Sequence, residues 1–350
     1  MHTMRLANRT YPSAPAAVEG LLAMQAENYA QTLWALASRT SDTSLDALQR
    51  LVDDGDILRT HVLRPTWHFV RPDDIVWLVE LTAPRIRPLL AQLAQSLDVS
   101  ESALEASAAV ITEALSSESA LTREDLAERL TAVGYDATGQ RLGLALTHAE
   151  LSTLICSGPM DGRRQTYALL AERAPGARRL ERDEALAELV LRYFRGHGPA
   201  TERDLSYWAT LTVTDVRAGL RSVAGQLEQV EHDGRTYWFT EPPPKGTVFA
   251  PRGHLLLSLD EYHNGYQDSR YVLDADGIIP RGRRPNVGMA LVDGQMVGDM
   301  RRTARGDTVT FEIGTFRSLS DDEVSALQDA AKRCAAFLGV DRARVELTRR

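Results

Sequence analysis

"DEALAELVLRYFRGHGPATERDLSYWATLTVTDVRAGLRSVAGQLEQVEHDGRTYWF", residues 183–239, holds three helical patterns followed by a hairpin. Its first part reads as an amphipathic helix, broken at Gly198 and Pro199. A short helix capped by Thr201 follows, and then another helix expected to start at Thr214. N-cap residues of this kind accept an otherwise unpaired backbone N–H of the first turn. Two alternating segments then flank Asp233-Gly234, a pair that favours the positive φ angles of a tight hairpin turn. Three helices and a β-hairpin are the order of a winged helix.

The pattern repeats upstream. "LTREDLAERLTAVG" (121–134) places Thr122 as an N-cap with Asp125 three residues on, and "QRLGLALTHAELSTLICSG" (140–158) is read as one continuing helix. "DGRRQTYALL" (161–170) then turns at Asp161-Gly162 into a strand. Both copies thus have a Thr-capped helix, an apolar helix and an Asp-Gly turn followed by Arg, Thr and Tyr. Such self-similarity points to a repeated unit. A first, less regular copy runs through "YAQTLWALASRT" (29–40) and "SLDALQRLVDDG" (44–55), with "ILRTHVLRPTWHFV" (57–70) alternating like two strands. Helix returns in "PDDIVWLVELTAPRI" (72–86), and residues 85–118 are expected to be helical packing between units.

Beyond a linker at residues 242–244 the character changes to short strands with Asp-Gly turns at Asp276-Gly277 and Asp293-Gly294. "VGMALVDGQMVGDMRRTARGDTVTFEIG" (287–314) reads as antiparallel strands, before one helix, "DDEVSALQDAAKRCAAFLG" (321–339), and a last strand near Val345. The expected architecture is α+β: three tandem winged-helix units packed with a C-terminal antiparallel β-barrel. The boundaries read as 1–118, 119–175, 181–241 and 245–350.

At 350 residues the chain is long enough for several such units. Its hydrophobic content of 43% and charged content of 25% are those of a globular protein, and no apolar run approaches the roughly 20 residues that cross a bilayer. No secretory pattern is read at the start, so a cytoplasmic protein is expected. Cys156 and Cys334 lack CxxC spacing, which argues for buried free thiols and against a disulfide scaffold or zinc site. The net charge of -8 does not exclude DNA, because binding needs only one basic face. Arg281, Arg283, Arg284, Arg301, Arg302 and Arg305 fall in one C-terminal window. Arg281, Arg283 and Arg284, on a Gly- and Pro-bounded loop, are candidates to grip phosphates, with Arg301 and Arg302 beside them.

A second candidate site lies in "MQAENYAQTLWALASR" (24–39). In a helix, Gln25 and Glu27 would lie on different faces. Asn28 is a favoured N-cap, and Gln31 completes an Asn-x-x-Gln variant of the capping box, so the helix should begin after the triplet. Residues 25–27 are then extended, and Gln25 and Glu27 project to the same side into one cleft. Arg64, Thr66 and His68 alternate along an expected strand, sharing a face for phosphate or lesion contact. Asp260 and Tyr262 are read as structural, and Trp34, Trp77, Trp208 and Trp238 as packing residues.

"QAENYAQTLWALASRT", "RTHVLRPTWHFVRPDDIVWLVELTAPR", "GQRLGLALTHAELSTLICSGP" and "SLDEYHNGYQDSR" resemble the AlkZ-like DNA glycosylases over nearly the whole chain. The resemblance implies tandem winged helices around a concave DNA channel and excision of N7-alkylated purines, in some members bulky adducts or interstrand crosslinks. It assigns Gln25 and Glu27 to the family's Gln-x-Gln or Gln-x-Asp motif, with a carboxylate one methylene longer than in the Asp branch. No cofactor or metal is implied. A monomer on duplex DNA carrying an alkylated purine is expected, and three copies in one chain already make a continuous surface, which favours the enzyme over a dimerising regulator. The alternative is a non-catalytic winged-helix DNA-binding protein or regulator.

Overall fold

The structure is a computed structural model in which residues 1–7, 10–41, 43–242, 251–282 and 287–349 are described. Helix α1 (Ala14–Leu21) is capped by Ser13, whose hydroxyl accepts the Ala16 N–H. Leu22, at φ 67°, turns the chain into strand β1 (Ala23–Gln25). Helices α2 (Tyr29–Ala37) and α3 (Leu45–Asp53) precede strands β2 (Leu58–Val62) and β3 (Thr66–Val70). Asn28 caps α2 as expected, its Oδ1 accepting the Gln31 N–H at 3.1 Å. The reciprocal half of the box is absent, because the Gln31 side chain instead accepts the Ser258 hydroxyl at 3.3 Å.

Helix α4 (Pro72–Ser96) runs for 25 residues and passes the chain to α5 (Glu101–Ser117), β4 (Leu121–Thr122), α6 (Arg123–Ala132) and α7 (Gly139–Leu151). Thr122 and Asp125 form a full capping box on α6. The run 140–158 is not one helix: α7 stops at Leu151, Thr153 takes a left-handed φ of 55°, and β5 (Ile155–Ser157) follows. Strand β6 (Thr166–Leu169) and the short α8 (Leu170–Arg173) complete this region, with sheet order β4-β6-β5.

The opening stretch folds as α9 (Arg182–His197), α10 (Glu202–Ala209), α11 (Val213–Val223) and the antiparallel pair β7 (Glu228–His232) and β8 (Arg235–Phe239). Thr201 caps α10 as expected, but α11 is capped by Thr212 and starts at Val213, not at Thr214. The reason is chemical: Thr212 and Asp215 make a reciprocal capping box that satisfies two first-turn donors.

The C-terminal region contains β9 (Gly253–Leu256), α12 (Glu261–Asn264), β10 (Gly288–Val292), β11 (Gln295–Arg305), β12 (Thr308–Thr315), α13 (Asp321–Leu338) and β13 (Arg342–Arg349). Its strands form one five-stranded sheet in the order β13-β12-β11-β10-β9. Among the described residues it does not close into the expected barrel, and it is not wholly antiparallel. Strand β13 runs parallel to β12, since α13 crosses back between them, and among the described residues β9 and β13 are open edges.

The small sheet β1-β3-β2 is buried from both sides, and this decides where the site lies. Alternate residues of β1 and β3 serve different cores. Met24 and Phe69 join the core shared with the C-terminal sheet and α13, whereas Ala23 and Val70 join the core shared with α4 and α9–α11. Gln25, paired with His68, points with Ala23 toward the latter side.

A buried ion pair fastens α2 to the C-terminal region. Arg39 donates to both carboxylate oxygens of Asp260, at 2.9 and 2.6 Å, and Arg39 is fully enclosed. Asp260 also accepts the Tyr262 N–H at 2.8 Å, capping α12. The structural reading of Asp260 therefore holds. Arg39→Met strands that carboxylate in the core and is expected to destabilise the protein by about 3–5 kcal/mol, read from the urea midpoint.

Candidate active site

Strand β1 carries Gln25 with its backbone fastened on both sides. The Gln25 N–H donates to Glu261 Oε1 at 2.7 Å, and its carbonyl accepts the Thr32 hydroxyl at 2.9 Å. The next residue, Ala26, donates to the Trp67 carbonyl at 2.7 Å. The Gln25 side chain is largely buried, with Oε1 accepting from Arg64 Nη2 and Asn264 Nδ2, both at 3.0 Å. It lies on the wall of an open cleft of about 610 Å³, shared with Arg64, Thr66, Ser206, Tyr207 and Asn264. The Arg64 and Arg270 guanidinium carbons lie 5.3 and 5.6 Å from the centre of the Tyr207 ring, within cation–π range.

Glu27 is exposed and does not share that wall. Its Oε2 accepts the Trp67 backbone N–H at 3.2 Å, extending the strand pairing where β1 has ended. Trp67 is itself held firmly. Arg59 lies 3.7 Å from its ring centroid, and its indole N–H donates to Glu150 Oε1 at 3.1 Å. Glu150, on α7, is enclosed and also bonds His61 Nδ1 at 2.5 Å. The region of Thr122 to Leu169 thereby fixes the Glu27 end of the triplet, while Glu261 fixes the Gln25 end.

Glu261 is the second enclosed carboxylate. Besides Gln25 it accepts the Trp208 indole N–H at 2.9 Å, and the His197 ring nitrogen Nε2 lies 3.6 Å from Oε2. Burial opposes the charge, but His197 and the field of Arg64 outweigh it, so the carboxyl is held below the usual range. Trp34, Trp77 and Trp208 are core residues, as expected, and each indole N–H finds an acceptor.

Thr66 is on β3 and Arg64 precedes it in a turn where Leu63 takes a φ of 64°, so the two do not share one continuous strand. Both still reach the cleft. His68 does not: it is fully enclosed, its Nδ1–H donating to the Thr66 carbonyl at 3.0 Å. Arg301 and Arg302 are neighbours on β11 and face opposite ways, Arg301 exposed and Arg302 3.7 Å from the Cys334 sulfur on α13. Arg281 is exposed, and Arg283 and Arg284 lie outside the described residues. Cys156 and Cys334 are buried free thiols, and burial pushes Cys156 up to about 12. Among the described residues no helix is long and apolar enough to cross a membrane.

Asn264, Glu261 and Tyr207 escaped the sequence reading. The segment "SLDEYHNGYQDSR" drew attention only to its Asp and Tyr residues, because nothing local shows that Asn264 meets Gln25, 239 positions away.

The fold can be compared as a whole. The solved structure of Streptomyces sahachiroi DNA glycosylase AlkZ superposes with a TM-score of 0.80 at 22% identity, over 99% of this chain and 97% of that one. The two thus share an α+β architecture. In sequence, the interstrand DNA cross-link repair glycosylase of Streptomyces sahachiroi is 26% identical over 278 residues, 75% of this chain and 74% of that protein. A profile described as DNA glycosylase AlkZ-like matches residues 18–337, a span that includes the triplet, the cleft and Glu261. The chain belongs to the AlkZ-like DNA glycosylase family.

The buried histidines set a pH dependence. Burial, with Arg64 adding to it, lowers His68 to about 3, and burial likewise lowers His254 to about 3. Between about 3 and the ordinary value near 6.5 the unfolded chain binds protons that the folded one refuses, so stability falls as pH drops through this window. Each histidine contributes a slope of up to about 1.4 kcal/mol per pH unit. Urea unfolding at pH 7 and pH 5 should show this loss, reduced in His68→Gln.

Proposed function

We propose that this protein hydrolyses the N-glycosidic bond of N7-alkylated purines in duplex DNA, with bulky adducts and interstrand cross-links among its substrates. In this reading the regions around β2–β3, β5–β6 and β7–β8 are three winged helices that line a DNA channel with the C-terminal sheet. Division of the chain at 1–118, 119–175, 181–241 and 245–350 belongs to the same reading. The protein acts as a cytoplasmic monomer.

The observation that carries the proposal is Gln25: a largely buried amide, its backbone locked by Glu261 and Thr32, standing on the wall of a cleft that also holds guanidinium groups. A cationic N7-alkylpurine is already an activated leaving group and needs no strong acid. What the site must supply is help for an oxocarbenium-like sugar and for the attacking water. Glu27 stabilises that cation and accepts a proton from the water, using the oxygen not bonded to Trp67. Gln25 contacts the water or the sugar-phosphate. Arg64 and Thr66 at the cleft contact phosphate, His68 supports them from beneath, and Arg281, Arg283, Arg284, Arg301 and Arg302 supply further DNA contacts.

Water as nucleophile fits the composition. Lysine occurs only at positions 245 and 332, Lys332 sits on α13 paired with Asp329, and among the described residues the cleft wall carries no amine for a Schiff base. This supports reading the enzyme as a monofunctional hydrolase.

The test is excision from duplex DNA containing N7-methylguanine, with abasic sites cleaved by alkali. Activity should fall by about 100-fold or more in Glu27→Ala while DNA affinity is retained. Tight, salt-dependent DNA binding with no excision by the wild type would favour the non-catalytic reading.

A further inference from the structure

We infer that Arg64 and Asn264 are positioning residues that fix the orientation of the Gln25 amide, so that Gln25 acts only as a hydrogen-bond donor to an oxygen in the cleft. This deepens the proposed function and rests on reading the cleft as the DNA site.

The argument begins from the donor inventory. A guanidinium has donors and no acceptor, so the Gln25 atom 3.0 Å from Arg64 Nη2 must be the carbonyl oxygen. Asn264 approaches the same oxygen at 3.0 Å and must therefore present its NH2 group. Inverting Gln25 would set donor against donor, and inverting Asn264 would set acceptor against acceptor. Both lone pairs of Oε1 are then used, and the Gln25 NH2 group has no hydrogen-bond partner among the described residues. With Oε1 turned into the protein, that NH2 group is what Gln25 offers to the cleft.

The clamp is closed on itself. Arg64 Nη1 donates to the Asn264 carbonyl at 3.2 Å, while Nη2 holds Gln25. Asn264 is anchored in turn by its N–H, which donates to the Asp260 carbonyl at 2.9 Å. Because the Asn264 main chain holds Arg64, changing the Asn264 side chain leaves Arg64 in place. That separation makes the clamp testable. A donor fixed in this way cannot serve as a base, so proton acceptance falls to another group.

The experiment is single-turnover excision of N7-methylguanine at saturating protein, where differences in DNA affinity drop out, with wild type, Asn264→Ala and Asn264→Asp compared. In Asn264→Ala, Arg64 alone still orients the amide, and the rate should fall less than about 10-fold. In Asn264→Asp, the carboxylate repels Oε1 and takes Arg64 Nη2 as its own partner, so the amide turns its NH2 inward to the carboxylate, and the rate should fall about 100-fold, the cost of losing one preorganised donor. A packing role would give the opposite ranking, because alanine removes more volume than the isosteric aspartate. Equal rates for wild type and Asn264→Asp, or a larger loss in Asn264→Ala, would overturn the inference.

A second readout does not depend on excision. Binding of duplex DNA should shift the Gln25 side-chain NH2 resonances in the wild type, assigned by their loss in Gln25→Glu, and leave them unmoved in Asn264→Asp. Wild-type protein that shows these shifts but excises nothing would refute the glycosylase reading and leave the clamp standing. Resonances that respond alike in both proteins would refute the clamp.

Discussion

The carboxylate of Glu261 is the point on which three regions distant in sequence converge. It belongs to α12 and accepts hydrogen bonds from the backbone N–H of Gln25 in β1 and from the indole N–H of Trp208 in α10. A charge enclosed to this degree is costly unless its lone pairs are satisfied, and here each oxygen has an N–H donor. The geometry around Gln25 follows from that constraint. Strand β1 has only three residues, too short to hold itself in place by sheet pairing, and the carboxylate supplies the missing anchor. The Arg39–Asp260 pair, one residue away on α12's cap, fastens the other side of the same joint.

The consequence for chemistry is preorganisation. Gln25 is held at its N–H by α12, at its carbonyl by α2, and at its side-chain oxygen by α12 and the β2–β3 turn. A donor fixed before substrate arrives needs no reorganisation when charge develops, which is the condition for effective electrostatic catalysis. Glu27 is placed differently: one oxygen completes the strand ladder through the Trp67 N–H, and the residue remains exposed. The triplet thus puts a rigid amide on the cleft wall and an accessible carboxylate beyond the strand end. Contrary to the expectation for an extended triplet, its two polar residues do not share one wall.

Local features of the fold were legible wherever their causes were local. Thr122, Thr201 and Asn28 cap helices because short polar side chains reach the first-turn N–H groups within three residues, and this spacing is visible in the sequence. Asp161-Gly162 and Asp233-Gly234 mark turns for a similar reason. The misreadings arose where two local choices competed, as at Thr212 against Thr214, or where apolar content hid a helix-to-strand change after Leu151. The parallel return of β13 could not be read locally, because it depends on α13 crossing the sheet. The site divides in the same way. Gln25 and Glu27 stood out through their spacing and family resemblance, whereas Asn264 and Glu261 act across more than 200 positions. His68 looked like a surface residue by alternation, yet α4, α9 and α10 cover that face of the sheet.

The most direct test is a crystal structure of the wild-type protein on duplex DNA with a stable abasic-site analogue. The damaged nucleotide should lie in the cleft between β3 and α10, with the Gln25 amide nitrogen about 3 Å from a sugar, phosphate or water oxygen. Arg64 and Asn264 should remain on the Gln25 carbonyl oxygen. Damaged DNA bound away from this cleft, or a Gln25 amide turned to present its oxygen, would contradict the account.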